Sequence, residues 1–423
     1  MANSSTLNPN EHFQSQISEN EIIPGLPDDL AMECLLRVPI TSHPTLRLVS
    51  HLWKSTISHS SFFSLRRRAN FAENHVFLIQ PLSPAAALPQ QQMTEPKVTI
   101  IGGEFDHIQD DKQSINNNCS LLYNLNIYNT NNEEWRCLAG LTIPTFAQCV
   151  VLPDVGKLVV LGGWDPATLE PVSKVLVLDL AVGTWKEGAS MLTPRSFFAC
   201  SVVGPTTVYV AGGHDGQKNA LRSAEAYDVE EDKWVVLPPM AEERDESYGL
   251  VVSKLGKFWV VSGYGTESQG RFRPDAEVYD PEKGTWETIT GVWPHPGINP
   301  KSTAVVTVEG ERRWWHVIGG EIKEFEWEER EWKGLILGSI IPKIVSELWS
   351  SSSSVSLIDV GNGKIFLMGN GENCGGEGMF ILERENENEN EDKNKSGVNW
   401  RWKNVHAPPS FLGFPFSASH LLM

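Results

Sequence analysis

No two cysteines in this sequence stand at a metal-binding spacing. Cys34, Cys119, Cys137, Cys149, Cys200 and Cys374 are scattered, without a CxxC pair, so no metal site is expected. There is no apolar run of roughly 18 to 20 residues, the length that a membrane-spanning helix requires. Residues 1–20 are rich in Ser, Asn, Gln and Glu and contain no apolar stretch, so they read as a disordered tail rather than a secretion signal. Reduced thiols in the cytoplasm or nucleus are therefore expected, where the sequons at Asn3, Asn118 and Asn394 stay idle. Positive charge is also scarce. With 35 Lys and Arg against 53 Asp and Glu, the net charge is −18, which excludes nucleic acid as the main partner. The tightest basic cluster, Arg66-Arg67-Arg68, reads as a solvated helix end.

Catalytic signatures are missing too. Neither GxSxG nor HExxH occurs. Gly263-Tyr264-Gly265 and Gly369-Asn370-Gly371 follow strand patterns, but no helix pattern comes after them to cradle a phosphate. His214-Asp215 directly follows a glycine pair, where short polar residues shape a turn. No catalytic residue and no cofactor is expected.

What is abundant is glycine, 35 residues, and tryptophan, 15 residues, a pairing that directs attention to repeats. Apolar runs end in glycine at Val159 to Gly163, Val208 to Gly213, Trp259 to Gly263, Val317 to Gly320 and Ile365 to Gly369. After each of the first four, an apolar residue precedes a tryptophan by seven positions: Leu178 and Trp185, Tyr227 and Trp234, Tyr279 and Trp286, Phe325 and Trp332. Tyr128 and Trp135 form one more such pair ahead of them. The tryptophans recur at intervals of 50, 49, 52 and 46 residues, the length of one four-stranded unit. Such a sheet cannot bury both faces alone, so several must pack radially as a β-propeller. A sixth unit, ending at Trp402, carries an Asn/Glu-rich insertion, Glu383 to Ser396. The segment Phe416 to Met423 resembles the strand that opens other units, and should close the ring by supplying the first strand of unit one. The second strand of that unit is either Val98 to Gly103 or His75 to Gln80, with loop insertions at 81–97 and 104–120.

Ahead of the repeats, residues 21–69 carry a helical pattern. Pro27 suits a helix start, and Leu30, Cys34 and Leu35 are spaced to share a face. Val38-Pro39 ends that helix, and Leu46, Val49 and Trp53 form the stripe of a second. So short a module cannot bury much core and calls for a partner.

Leu26-Pro27-Asp28-Asp29-Leu30, Leu35, Val38-Pro39, Leu46 and Leu48-Val49-Ser50-His51-Leu52-Trp53 resemble an F-box, with Ser50 where that family usually has Cys. Gly-Gly, then Tyr227-Asp228 or Tyr279-Asp280, then Trp resemble kelch repeats. The combination is similar to plant kelch-repeat F-box proteins. It is nearest to a subgroup carrying Leu161-Gly162-Gly163-Trp164-Asp165-Pro166, Arg195-Ser196-Phe197-Phe198-Ala199-Cys200 and Ala211-Gly212-Gly213-His214-Asp215. Lys218 to Ala224, Glu243 to Glu246 and Gln269 to Phe272 extend the match. The resemblance implies a small all-α F-box module followed by an all-β propeller of six blades over 75–423. It also implies a non-catalytic receptor of an SCF-type ubiquitin ligase, joined through a Skp-type adaptor to cullin and RING subunits. Members of the subgroup direct phenylalanine ammonia-lyase and chalcone synthase to the proteasome, and others act on cytokinin response regulators.

On that reading, Leu26, Pro27, Leu30, Leu35, Val38, Pro39, Leu46, Val49 and Trp53 are the adaptor-binding candidates, each shared between module core and interface. Trp164, Arg195, Arg244, Asp245, Arg271 and Arg273 are the candidates for contact with a target protein. Arg195 and Arg244 precede the first strands of their blades and should project from one common face.

Overall fold

The computed structural model describes residues 21–82, 122–252, 256–308, 310–318, 321–335, 355–361, 363–369, 378–384, 400–411 and 413–423. Two compact units divide near residue 73.

The first unit is helical: α1 (Asp28–Leu36), α2 (His43–Leu46), α3 (His51–Ser58) and α4 (Ser60–Arg68). Pro27 is the N-cap of α1, with Asp28 and Asp29 in the first turn against the positive end of the helix dipole. The buried stripe of α1 is Ala31, Leu35 and Leu36, whereas Leu30 and Cys34 face solvent, contrary to the expected Leu30–Cys34–Leu35 face. The expected second helix is also divided. Ser50 leaves the helical conformation and its hydroxyl accepts the Trp53 backbone N–H at 3.1 Å, so Leu46 and Trp53 lie on separate helices. The core joins Ile22, Ala31, Leu35, Leu36, Ile57 and Phe62. Arg66 corrects the reading of a solvated basic cluster: it is 1% exposed. Its guanidinium donates to the carbonyls of Leu36, Val38 and Phe71 and lies 3.5 Å from Glu73. In this position it closes the open carbonyl ends left where α1 stops.

The second unit contains six four-stranded antiparallel sheets among the described residues, the blades of a propeller. Blade one is Ser417–Leu422, Asn74–Pro81, Tyr123–Asn129 and Glu134–Ile143, in that order across the sheet. The C-terminal strand thus opens blade one, and its second strand is the His75 alternative; Val98 to Gly103 lies outside the described residues. Blades two to six span 148–187, 199–237, 248–289, 303–334 and 355–404. Most of the expected insertion at Glu383 to Ser396 is also outside the described residues, as are Gly319 and Gly320. The closing strand is tied sideways as well, since the Ser417 and Ser419 hydroxyls accept the backbone N–H groups of Cys149 and Val151 at 2.9 and 3.0 Å.

The core lies between blades rather than within them. One cluster joins Val159, Leu161 and Val177 of blade two to Phe198, Val208 and Tyr227 of blade three, and four further clusters bridge the next pairs round to blade one. The repeat tryptophans face their predicted partners across the third and fourth strands: Tyr128 pairs with Trp135, Tyr227 with Trp234, Tyr279 with Trp286 and Phe325 with Trp332. Trp234 stacks on Tyr227 at 4.9 Å.

The glycine pairs are required twice over. Gly212 and Gly213 have φ of 70° and 80°, and a Cβ on either would meet a backbone oxygen, of Arg244 or Ser196, at 2.3 Å. Gly213 N–H donates to the Arg244 carbonyl at 2.8 Å, so the pair fastens the entry loop of the next blade. Gly213→Ala should therefore lower the unfolding free energy by more than about 1 kcal/mol in urea, while Gly216→Ala, in open space, should leave it nearly unchanged. Equal midpoints for the two variants would contradict this.

Candidate functional site

The six first strands enclose a cavity of about 870 Å³ on the propeller axis. Loops that enter these strands, and loops that leave the second strands, gather at one mouth of it. Phe146, Phe197 and Glu246 occupy equivalent places just before the first strands of blades two, three and four, and all three adopt left-handed φ, 59°, 56° and 51°. That conformation costs a bulky residue on the order of 1–3 kcal/mol, and its recurrence marks a position the surrounding fold enforces. At the closing strand, Phe416 brings a third aromatic ring to the same place without the left-handed backbone. The rings of Phe146, Phe197 and Phe416 stand in a triangle with centroids 5.0, 5.2 and 5.2 Å apart. Trp164 meets Phe146 edge-on at 5.4 Å.

One ammonium sits among these rings. Asn299 caps the short turn Pro300–Ser302 by accepting the Lys301 backbone N–H at 2.9 Å. Lys301 Nζ then lies 3.7 Å from the Phe416 centroid and 5.2 Å from that of Phe197, within cation–π range. Burial lowers its pKa to about 8, opposed by the carboxylates of Glu246 and Asp245. Glu246 is already held by the Tyr264 hydroxyl at 2.9 Å and the Asn299 amide at 2.8 Å.

His214 lies beside this cluster, its ring stacked on Phe197 at 5.4 Å. Its Nδ1 is 3.0 Å from both oxygens of Asp245, and its Nε2 accepts the Trp164 indole N–H at 3.3 Å. An Asp–His pair of this kind could orient a general base, but here neither ring nitrogen is left to take a proton from a substrate. The pairing fixes the mouth. Among the described residues no group of three or more His, Cys, Asp or Glu side chains is arranged to hold a metal.

Of the residues singled out for target contact, two are corrected outright. Arg195 and Arg244 do not project from a face: both are 0% exposed. Arg195 donates to the carbonyls of Gly212 and Ser223 and to Glu225 at 2.6 Å. Arg244 repeats this one blade on, with the Ser262 carbonyl, Asp275 at 2.7 Å and Glu277 at 3.0 Å. Both brace the glycine turns from beneath. Asp245 is likewise buried in its bond to His214. Arg273 is half-buried between Asp275 and Glu242, and Arg271 is exposed. Trp164 is half-buried within the mouth cluster. Of the other tryptophans outside the repeat position, Trp293, Trp314 and Trp315 are core, and Trp349 lies outside the described residues.

Sequence reasoning missed Phe146, Phe197, Phe416 and Lys301. A signal existed in Pro144-Thr145-Phe146, Arg195-Ser196-Phe197 and Arg244-Asp245-Glu246, which end at spacings close to the repeat period.

In the helical unit, the nine adaptor candidates divide. Leu35 is buried, and Leu26, Leu46 and Trp53 pack against the core, with the Trp53 indole donating to the Ile22 carbonyl at 2.6 Å. Val38 is half-buried, and its carbonyl is taken by Arg66. Pro27, Leu30, Pro39 and Val49 are exposed, Leu30 by 47% and Val49 by 59%, and Leu48, outside the candidate set, by 85%. Three large aliphatic side chains, two of them adjacent in sequence, are thus left exposed on this small unit.

Replacing one partner of a buried ion pair strands the other, which costs about 3–5 kcal/mol. Arg244→Met should therefore destabilise the propeller strongly in urea, whereas Arg271→Ala should change stability by less than about 0.5 kcal/mol. Comparable unfolding curves for both would return Arg244 to the surface role first expected of it.

Comparison with known proteins agrees with the two units. The F-box domain family matches residues 23–65, and the Kelch motif family matches 148–192 and 195–241. F-box/kelch-repeat protein At2g44130 of Arabidopsis thaliana is 39% identical over 416 residues, covering 94% of this chain and 95% of its own. F-box/kelch-repeat protein SKIP20 of the same plant is 38% identical over 421 residues, covering 95% and 96%. F-box/kelch-repeat protein At1g15670 shares 36% over 273 residues, 63% of this chain and 68% of its own. With the helical unit, the six blades and this coverage together, the chain belongs to the plant F-box/kelch-repeat proteins.

Proposed function

We propose that this chain is the substrate-recognition subunit of an SCF-type E3 ubiquitin ligase. Its F-box binds a Skp-type adaptor, and through it cullin and RING subunits, while its propeller holds a target protein. One observation carries the reading: a helical unit with Leu30, Leu48 and Val49 exposed precedes, in the same chain, a propeller with an aromatic mouth. Exposed aliphatic side chains of this kind gain about 1.5–3 kcal/mol each on burial, before the costs of association. The Phe146, Phe197, Phe416 and Trp164 cluster is a preorganised aromatic anchor suited to the centre of a protein contact. Neither unit performs bond chemistry in this scheme. Ubiquitination follows from raising the effective concentration of target lysines near the charged conjugating enzyme.

The target class we propose is a phenylpropanoid or flavonoid enzyme, phenylalanine ammonia-lyase or chalcone synthase. It rests on the resemblance carried by residues 161–166, 195–200 and 211–215. The compartment we propose is the cytoplasm or nucleus.

The exposed residues separate binding from folding. Leu30→Ala/Val49→Ala should reduce recovery of the Skp-type adaptor and cullin with the tagged chain at least tenfold, with the helical unit still folded by circular dichroism. Failure of the unsubstituted chain to recover any adaptor would leave a kelch scaffold with an inactive F-box. For the target, purified phenylalanine ammonia-lyase and chalcone synthase should each be tested for retention by the chain, with loss of retention in Phe146→Ala/Phe416→Ala. Retention of neither would remove this target class.

A further inference from the structure

The cavity behind the aromatic mouth shares Phe146 and Phe416 with the proposed docking surface and adds an enclosed volume and a cation that docking does not require. Its volume, about 870 Å³, is that of a small-molecule site, and its wall is formed by first strands from all six blades. Tyr123, Phe146 and Phe416 line one end, together with Lys301. The buried cations Arg66, Arg195 and Arg244 each have a carboxylate within 3.5 Å, whereas Lys301 is partly buried. Lys301 has none at salt-bridge distance among the described residues; its ammonium rests on the faces of Phe416 and Phe197. The two nearest carboxylates are committed elsewhere, Glu246 to Tyr264 and Asn299, and Asp245 to His214. A partly desolvated ammonium without an ion pair is stabilised by an arriving anion more than a fully hydrated one is. Ring faces and edges beside it select a flat aromatic body through offset or edge-on packing.

We propose that this cavity binds a small planar aromatic carboxylate, its ring packed among Tyr123, Phe146 and Phe416 and its anion paired with Lys301. The inference stands apart from the identity of any target protein. Two contributions are separable: the ion pair, which requires both the ligand carboxylate and the Lys301 charge, and the aromatic packing, which requires a flat ring. The charged groups facing Lys301 are Glu246 and Asp245, which oppose its deprotonation, so the ammonium form persists up to a pH of about 8. A bound carboxylate raises that limit further. Affinity is then full at neutral pH and is lost as the pH rises above the Lys301 pKa.

The test is isothermal titration of the full-length chain with 2-naphthoate, 2-naphthamide and cyclohexanecarboxylate. The expected result is naphthoate binding at least tenfold tighter than either of the others, and a loss of at least tenfold in Lys301→Met. Equal binding of naphthoate and naphthamide, or unchanged affinity in Lys301→Met, overturns the proposal. So does the absence of naphthoate binding. Equal binding of cyclohexanecarboxylate overturns the aromatic selectivity. Should Lys301→Met fail to fold, the pH dependence of naphthoate binding to the unsubstituted chain decides: affinity falling between about pH 7 and 9 supports the site, and a flat profile overturns it.

Discussion

In four of the six blades a tryptophan on the outermost strand reaches back to the blade before it, and this is the contact on which the propeller depends. The Trp234 indole donates to the Ala189 carbonyl at 2.7 Å, Trp286 to Pro238 at 2.7 Å, Trp332 to Val292 at 3.0 Å and Trp135 to His406 at 3.1 Å. Each bond leaves one blade and ends in the segment that exits the previous one, and the last crosses the closure between blades six and one. The hydrogen bond alone contributes about 1 kcal/mol, but the ring also roofs the hydrophobic cluster between the two blades. One residue type, at one place in the repeat, therefore sets both blade spacing and blade packing. A four-stranded sheet has two apolar faces, and only a neighbour on each side can cover them.

The mouth inherits its shape from this ring. Arg195 and Arg244, bonded beneath the glycine turns, hold the entry loops of blades three and four at a fixed height. Glu225 and Glu277, their partners on the third strands, also accept backbone N–H groups of 192–193 and 241–242, so each ion pair spans the turn and the approach to it. With those loops fixed, Phe197 and Glu246 are left in left-handed backbone conformations that a freer chain would relax. Structural charge inside thus supports the aromatic mouth outside.

The repeat was legible because its signals are local. Glycine pairs mark turns, and a tryptophan seven positions after an apolar residue marks a hairpin whose partners lie opposite each other. Blade number, ring closure and the division into helical and β units followed from those signals. The roles of Arg195 and Arg244 were not legible, because an arginine before a strand has the same sequence context whether it projects outward or turns beneath a glycine pair. Only the carboxylates at 225, 275 and 277, some 30 residues on, decide the matter. The same holds for Arg66, whose neighbours Arg67 and Arg68 suggested solvent while the open carbonyls of 36 and 38 drew it inward. Phe416 and Lys301 reach the mouth from outside the repeat's two most regular blades, and no spacing rule connects them to Phe146. In the helical unit, the stripe through Val49 looked continuous because the Ser50 cap was read as part of a helix.

If the account is right, the two units act on one and the same protein, and that link is open to direct measurement. Ubiquitin-remnant profiling of plant cells expressing the chain, its Leu30→Ala/Val49→Ala variant or its Phe146→Ala/Phe416→Ala variant would address it. The account predicts one set of proteins whose ubiquitination rises with the unsubstituted chain and with neither variant. Two unrelated sets, or a set that ignores both variants, would contradict it.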